Sequence, residues 1–139
     1  MASWDCPDCG RRFARRGQGH ECAPAMTVEE YFSTGPPFER PIFEAVMATL
    51  APVGPVHVEP VSVGIFLKRA RSFAQLRPMT KWVALSFSLR HEVRHPLITR
   101  KVIAYGDRYH HVANLSGPEG LDDRLVEHLT EAFLDAPPA

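Results

Sequence analysis

Charge of neither sign dominates this sequence: sixteen Lys and Arg face sixteen Asp and Glu in 139 residues, so bulk charge selects no class of partner. No run approaches the ~18 consecutive apolar residues of a spanning helix, which excludes helical membrane insertion. Met1-Ala2-Ser3-Trp4-Asp5-Cys6 lacks a basic start and an apolar core, so no secretory signal is expected and the chain reads as cytoplasmic. There is no phosphate loop, dinucleotide fingerprint, Ser/His/Asp order or internal repeat. Beyond residue 22 there is no cysteine, and an odd total of three argues against a disulfide framework. The 13 prolines and 9 glycines gather at joints and form no low-complexity tract.

What is present is local. Cys6, Cys9, His20 and Cys22 follow the spacing C-x2-C-x10-H-x-C. Three thiols and one imidazole complete a tetrahedral set for a structural Zn²⁺, with no open position for catalytic water. Pro7 and Gly10 frame a tight turn around the first pair. Trp4 and Phe13 are the only large apolar residues here, too few to fold the segment unaided, so metal binding has to supply the folding energy. His20 and Cys22 are two apart, a spacing that suits a loop or a helix end. The competing reading is a disordered, thiol-bearing tail. Arg11, Arg12 and Arg15 surround Phe13 and suit either phosphate contacts or a solvated rim.

Residues 1–24 therefore read as a zinc knuckle and 27–136 as a separate α+β domain. Thr27 and Glu30 fit a capping box opening a short helix to Phe32 or Ser33. Ile42, Phe43, Val46, Met47 and Leu50 make one helical stripe between Phe38 and Ala51. Alternating runs then predict an antiparallel sheet of about five strands, in which Val83, Leu85, Phe87 and Leu89 turn to the core. Leu121, Leu125, Leu129 and Phe133 mark a closing amphipathic helix. Consecutive strands between two helices imply a sheet covered on one side.

The stretch from Pro41 to Phe133 resembles a bacterial family catalogued as domain of unknown function 5655. The resemblance lies in Pro41-Ile42-Phe43-Glu44, in Ile65-Phe66-Leu67-Lys68-Arg69-Ala70-Arg71-Ser72-Phe73-Ala74, and in Leu76-Arg77-Pro78-Met79-Thr80-Lys81. His110-His111-Val112, Leu121-Asp122 and Ala132-Phe133 complete it. Trp4-Asp5-Cys6-Pro7-Asp8-Cys9-Gly10-Arg11 with His20-Glu21-Cys22 is similar to a C2HC-type zinc knuckle found ahead of such domains. The resemblance implies the α+β fold and brings no activity with it.

Three functional readings remain open. Residues 61–101 hold nine Lys and Arg against Glu92 alone, flanked by acidic segments. Lys68, Arg69, Arg71, Arg77 and Lys81 with Trp82 form a basic sheet surface for nucleic acid or another anionic partner, unless the strands and acidic helices neutralise one another internally. In the second reading the knuckle docks a protein partner. In the third, the polar face of strand 82–89 and His110 or His111 line a small-molecule or catalytic pocket with Trp82 and Ser86. His91-Glu92-Val93-Arg94-His95 spells a zinc-protease motif, but Pro96 pushes His95 out of helical geometry, so the match reads as coincidence and no catalytic residue is assigned.

Overall fold

In the computed structural model, which describes residues 3–139, Met1 and Ala2 of the expected knuckle lie outside the described residues. The knuckle is built on a two-stranded antiparallel ribbon of β1 (Trp4–Asp5) and β2 (Arg12–Phe13), with Trp4 opposite Phe13. The main domain opens where the Thr27 hydroxyl accepts the Glu30 N–H at 3.1 Å and the Glu30 carboxylate accepts the Thr27 N–H at 3.1 Å. That reciprocal cap starts α1 (Val28–Phe32), as its sequence predicts. α2 (Glu39–Leu50) follows, burying Ile42, Phe43, Val46 and Leu50 as one stripe.

Six strands then form one antiparallel sheet: β3 (His57–Val61), β4 (Gly64–Lys68), β5 (Ser72–Pro78), β6 (Val83–Leu89), β7 (Ile103–Tyr105) and β8 (Arg108–Leu115). Their order is β3-β4-β5-β6-β8-β7, one strand more than the expected five or so. β7, three residues of exposed edge, pairs with β8 as a hairpin that turns at Gly106, φ +61°. α3 (Asp123–Asp135) closes the chain. It starts after Leu121 because the Asp122 carboxylate accepts the Leu125 N–H at 2.9 Å and caps it. Among the described residues no helix is long and apolar enough to cross a membrane.

The period of two sorts the sheet into faces. Ile65, Leu76, Leu85 and Ala113 lie side by side across four strands, with Leu67, Ala74, Phe87 and His111 in the next row, and all are buried. Leu125, Leu129 and Phe133 of α3 and the α2 stripe join them in one core. Each fully buried Leu or Phe there contributes about 1.5–3 kcal/mol, and Leu85→Ala costs about 2–5 kcal/mol. The register shifts between Leu67 and Lys68, leaving Phe73 without a partner in the ladder, and its ring meets Phe133 edge-on at 5.3 Å. At Gly64 a Cβ would lie 2.5 Å from the Leu76 carbonyl oxygen, so only glycine admits this close strand approach. The other face carries Glu59, Phe66, Gln75, Ser86 and Val112 in one row, with Ser88 beside His110 in the next.

Candidate metal centre

The turn at residues 6–11 is held by main-chain bonds from Gly10 N–H to the Cys6 carbonyl, 2.7 Å, and from Cys6 N–H to the Arg11 carbonyl, 2.9 Å. Gly10 sits at φ +74°, a left-handed conformation that glycine adopts freely. The turn sets the Cys6 and Cys9 thiols on one side. The returning chain brings His20 and Cys22 to them, and the ligand atoms of all four residues lie within 4.8 Å of one another. These four residues, Cys6, Cys9, His20 and Cys22, are close enough to hold a metal ion.

The imidazole is already oriented. Its Nδ1 lies 2.7 Å from the Gln18 carbonyl, which can only accept, so Nδ1 carries the proton and Nε2 offers its lone pair. Nε2 lies 3.4 Å from the Cys9 sulfur and 3.1 Å from that of Cys22. The ring stacks on Phe13 at 3.9 Å between centroids, which fixes its plane. The Cys6 thiol is lowered to about 7, chiefly by the Cys9 backbone N–H. Cys22 is pushed up to about 11, chiefly by its hydrogen bond with Cys6, 3.8 Å away. Three thiols this close cannot all ionise unless a cation sits among them.

The knuckle is fastened to the sheet through one buried carboxylate. Glu59, 1% exposed, accepts from the Arg12 backbone N–H at 2.7 Å, Arg11 Nε at 3.1 Å and Lys68 Nζ at 2.9 Å. His57 Nε2 is 2.8 Å from the same group. Burial raises the Glu59 pKa, but these donors outweigh it and hold the carboxyl below its ordinary value. Lys68 also donates to the Arg12 carbonyl at 2.6 Å and lies 4.5 Å from the centre of the Phe13 ring. Sequence reasoning passed over Glu59. Glu59 sits on the polar side of the alternating run His57-Val58-Glu59-Pro60 and reads as solvent-facing until Phe66 and Lys68 are known to share its face.

The basic stretch divides. Lys68 is turned inward to Glu59. Arg69 donates to the Phe133 and Ala136 carbonyls at 3.2 and 2.8 Å, closing the C-terminal end of α3. Arg71, Arg90 and Arg108 converge on Asp135 at 3.5, 2.9 and 2.7 Å. Arg12 meets Asp5 at 3.4 Å. Arg15, Arg77 and Lys81 are exposed and, among the described residues, enter no ion pair; Trp82 is half-buried with its indole N–H unpartnered. Arg94, Arg100, Lys101 and Arg124 surround a cavity of about 580 Å³, a grouping the linear charge count did not isolate.

His110 and His111 point to opposite faces, as alternation requires. His111 is fully buried, stacks on Phe87 at 5.1 Å and accepts the Val93 N–H at 3.0 Å. Burial pushes its pKa down. His110 lies on the outer face, where a cavity of about 220 Å³ brings it together with Ser86; Trp82 is absent from that lining. The His91–His95 segment contains no helix: His91 reaches Glu131 at 2.6 Å and His95 reaches Asp122 at 2.9 Å, so the two fasten this loop to α3 separately. No curated protein and no solved structure gives a significant match to the chain. A family model does match: residues 28–136 fit the description Domain of unknown function (DUF5655), and the chain belongs to that family.

Proposed function

We propose that Cys6, Cys9, His20 and Cys22 hold a structural zinc ion and that the resulting unit is a non-catalytic binding module for an anionic partner, nucleic acid being the class it suits. The ligand geometry carries the first half. Sulfurs about 2.3 Å from the centre of a tetrahedron lie about 3.8 Å apart, and a sulfur and a nitrogen about 3.5 Å. The Cys6–Cys22 separation is 3.8 Å, and His20 Nε2 lies 3.4 Å from the Cys9 sulfur and 3.1 Å from that of Cys22, all four ligand atoms falling within 4.8 Å. A set of three sulfurs and one nitrogen favours Zn²⁺ over harder cations. All four positions are taken by protein, so the ion's work is to hold the knuckle against β3 and β4.

The second half is supported by Arg15, Arg77, Lys81, Arg94, Arg100 and Lys101, which enter no ion pair among the described residues of a chain with no net charge. Such cations displace counterions from a phosphate backbone, and the affinity then falls steeply with salt. Two measurements test the reading. Elemental analysis is expected to return one zinc per chain, lost on Cys9→Ser. Titration of the intact protein with DNA and RNA is expected to show binding that weakens as salt rises; absence of metal would remove the first half, and a flat salt response the second.

A further inference from the structure

The outer face of the sheet is recessed between two walls. At one end Phe13 and Ala14 of the knuckle line a cavity together with Phe66 and Ser72. At the other, the 97–102 segment is tied to β8 by the Asn114 N–H donating to the Leu97 carbonyl at 3.0 Å and by Asn114 Nδ2 donating to Thr99 Oγ1 at 3.3 Å. Between them lie two adjoining cavities of about 120 and 220 Å³ that share Gln75, Ser86 and His110. No carboxylate lines either of them. The larger is flanked by Arg77 from β5 and Arg100 from the 97–102 segment, neither with an acidic partner among the described residues. In a protein whose acids and bases balance, an acid-free recess with two unpaired guanidinium groups, an imidazole, a hydroxyl and an amide is complementary to a phosphate group.

We propose that this recess is where the anionic partner is held, that Arg77, Arg100, Ser86 and His110 contact one of its phosphates, and that the partner is a single strand of nucleic acid. The site rests on the anion-binding reading above. Two features select an extended strand over a compact phosphate ester. Arg100 borders both the recess and the roughly 580 Å³ cavity, where Arg94, Lys101 and Arg124 outnumber the single lining carboxylate, Glu92, so the cationic track runs on past one phosphate. The adjoining cavity of about 120 Å³ continues the recess on the other side of His110, so the face accepts chain on both sides of that phosphate. The cations at the knuckle end add little, because Arg11 and Lys68 are committed to Glu59.

The test uses the intact zinc-loaded protein and a fluorescein-labelled oligothymidylate of roughly a dozen nucleotides at low salt. The variant is Arg77→Gln/Arg100→Gln, two exposed side chains that enter no ion pair among the described residues. The expected result is at least a tenfold loss of affinity, with the salt slope shallower by about 0.7, since the two arginines share one phosphate and each phosphate neutralised on a single strand contributes about 0.7. In the wild-type protein the His110 ring resonances shift on addition of the strand, while those of His57 and His91 stay in place. Arg16→Gln/Arg40→Gln removes equal charge away from the recess, Arg16 being exposed on the knuckle and Arg40 paired with Glu29 and Glu44, and is expected to have little effect. Equal loss in both variants would show diffuse attraction and overturn the site while leaving anion binding intact. Inorganic phosphate or thymidine monophosphate binding as tightly as the oligonucleotide would overturn the strand as occupant. No binding of any of these probes would overturn both the site and the reading on which it rests.

Discussion

Glu59 and Lys68, 2.9 Å apart on neighbouring strands, grip opposite ends of a single residue: Glu59 takes the Arg12 N–H and Lys68 its carbonyl. Both side chains are almost fully buried, at 1% and 4% exposure. Removing Lys68 strips one charged donor from a buried carboxylate that Arg11 still partly compensates, and leaves the Arg12 carbonyl without its donor, which costs about 1–3 kcal/mol. Lys68→Met is therefore expected to destabilise the protein by that amount in urea unfolding and to loosen residues 3–24. Lys68→Glu is expected to be worse, so a loss of ligand binding in that variant reports undocking of the knuckle and says nothing about the open sheet face.

Metal removal is expected to have a local effect. The knuckle core is Cys6, Cys9 and Phe13 with Trp4 against them, too little apolar surface to stay folded alone. A strong chelator, or Cys9→Ser, is expected to collapse the amide dispersion of residues 3–24 in a ¹H–¹⁵N spectrum while the strands β4–β8 keep theirs. A spectrum unchanged throughout would mean that packing alone shapes the segment.

Acidification is expected to weaken the fold through its buried histidines. Burial is the first cause that depresses the pKa of both His111 and His128. Each is neutral in the folded chain, whereas the unfolded chain protonates near the ordinary value of about 6.5. The stabilising contribution is therefore full above about pH 6.5 and is lost as pH falls towards the depressed folded values, by up to about 1.4 kcal/mol per pH unit for each proton. Urea unfolding between neutral and mildly acidic pH measures it. His111→Phe keeps the stack on Phe87 and is expected to show a shallower slope; an identical slope would sink the assignment.

Tyr31→Phe tests a second buried carboxylate. The Tyr31 hydroxyl donates to Glu39, which is only 2% exposed, and burial is the first cause that raises both groups above their ordinary values. Losing the donor is expected to cost about 1–3 kcal/mol, the penalty for an unsatisfied buried acceptor. Glu39→Leu in the same background is expected to recover part of it, read by the urea midpoint.

Much of the architecture was written in local pattern. Thr27 with Glu30, the Ile42-to-Leu50 stripe and the Val83-to-Leu89 alternation each record one burial pattern that a single element imposes on its own residues. The cysteine-histidine spacing was legible for the same reason, because a tight turn is a local event. Charge was not. Lys68, Arg69, Arg71, Arg77 and Lys81 look alike along the chain. Their fates depend on which strand lies opposite and on where the end of α3 falls, so Lys68 meets Glu59, Arg71 meets Asp135 and Arg77 is left open. Arg100 and Arg124 are far apart in sequence and border one cavity only because the 97–102 segment folds beside the start of α3.

The family match starts at residue 28, so Glu59 and Lys68 fall inside it while Arg12, the residue they clasp, precedes it. Without the leading segment these two side chains would lose the cover of Arg12 and Phe13 and become a wet surface pair, where such contacts are worth about 0–1 kcal/mol and either residue can be exchanged at small cost. With the segment in place the same pair becomes intolerant of change. A handful of thiols more than forty positions upstream of Lys68 thus decides how strictly the sheet must keep its own acid and base.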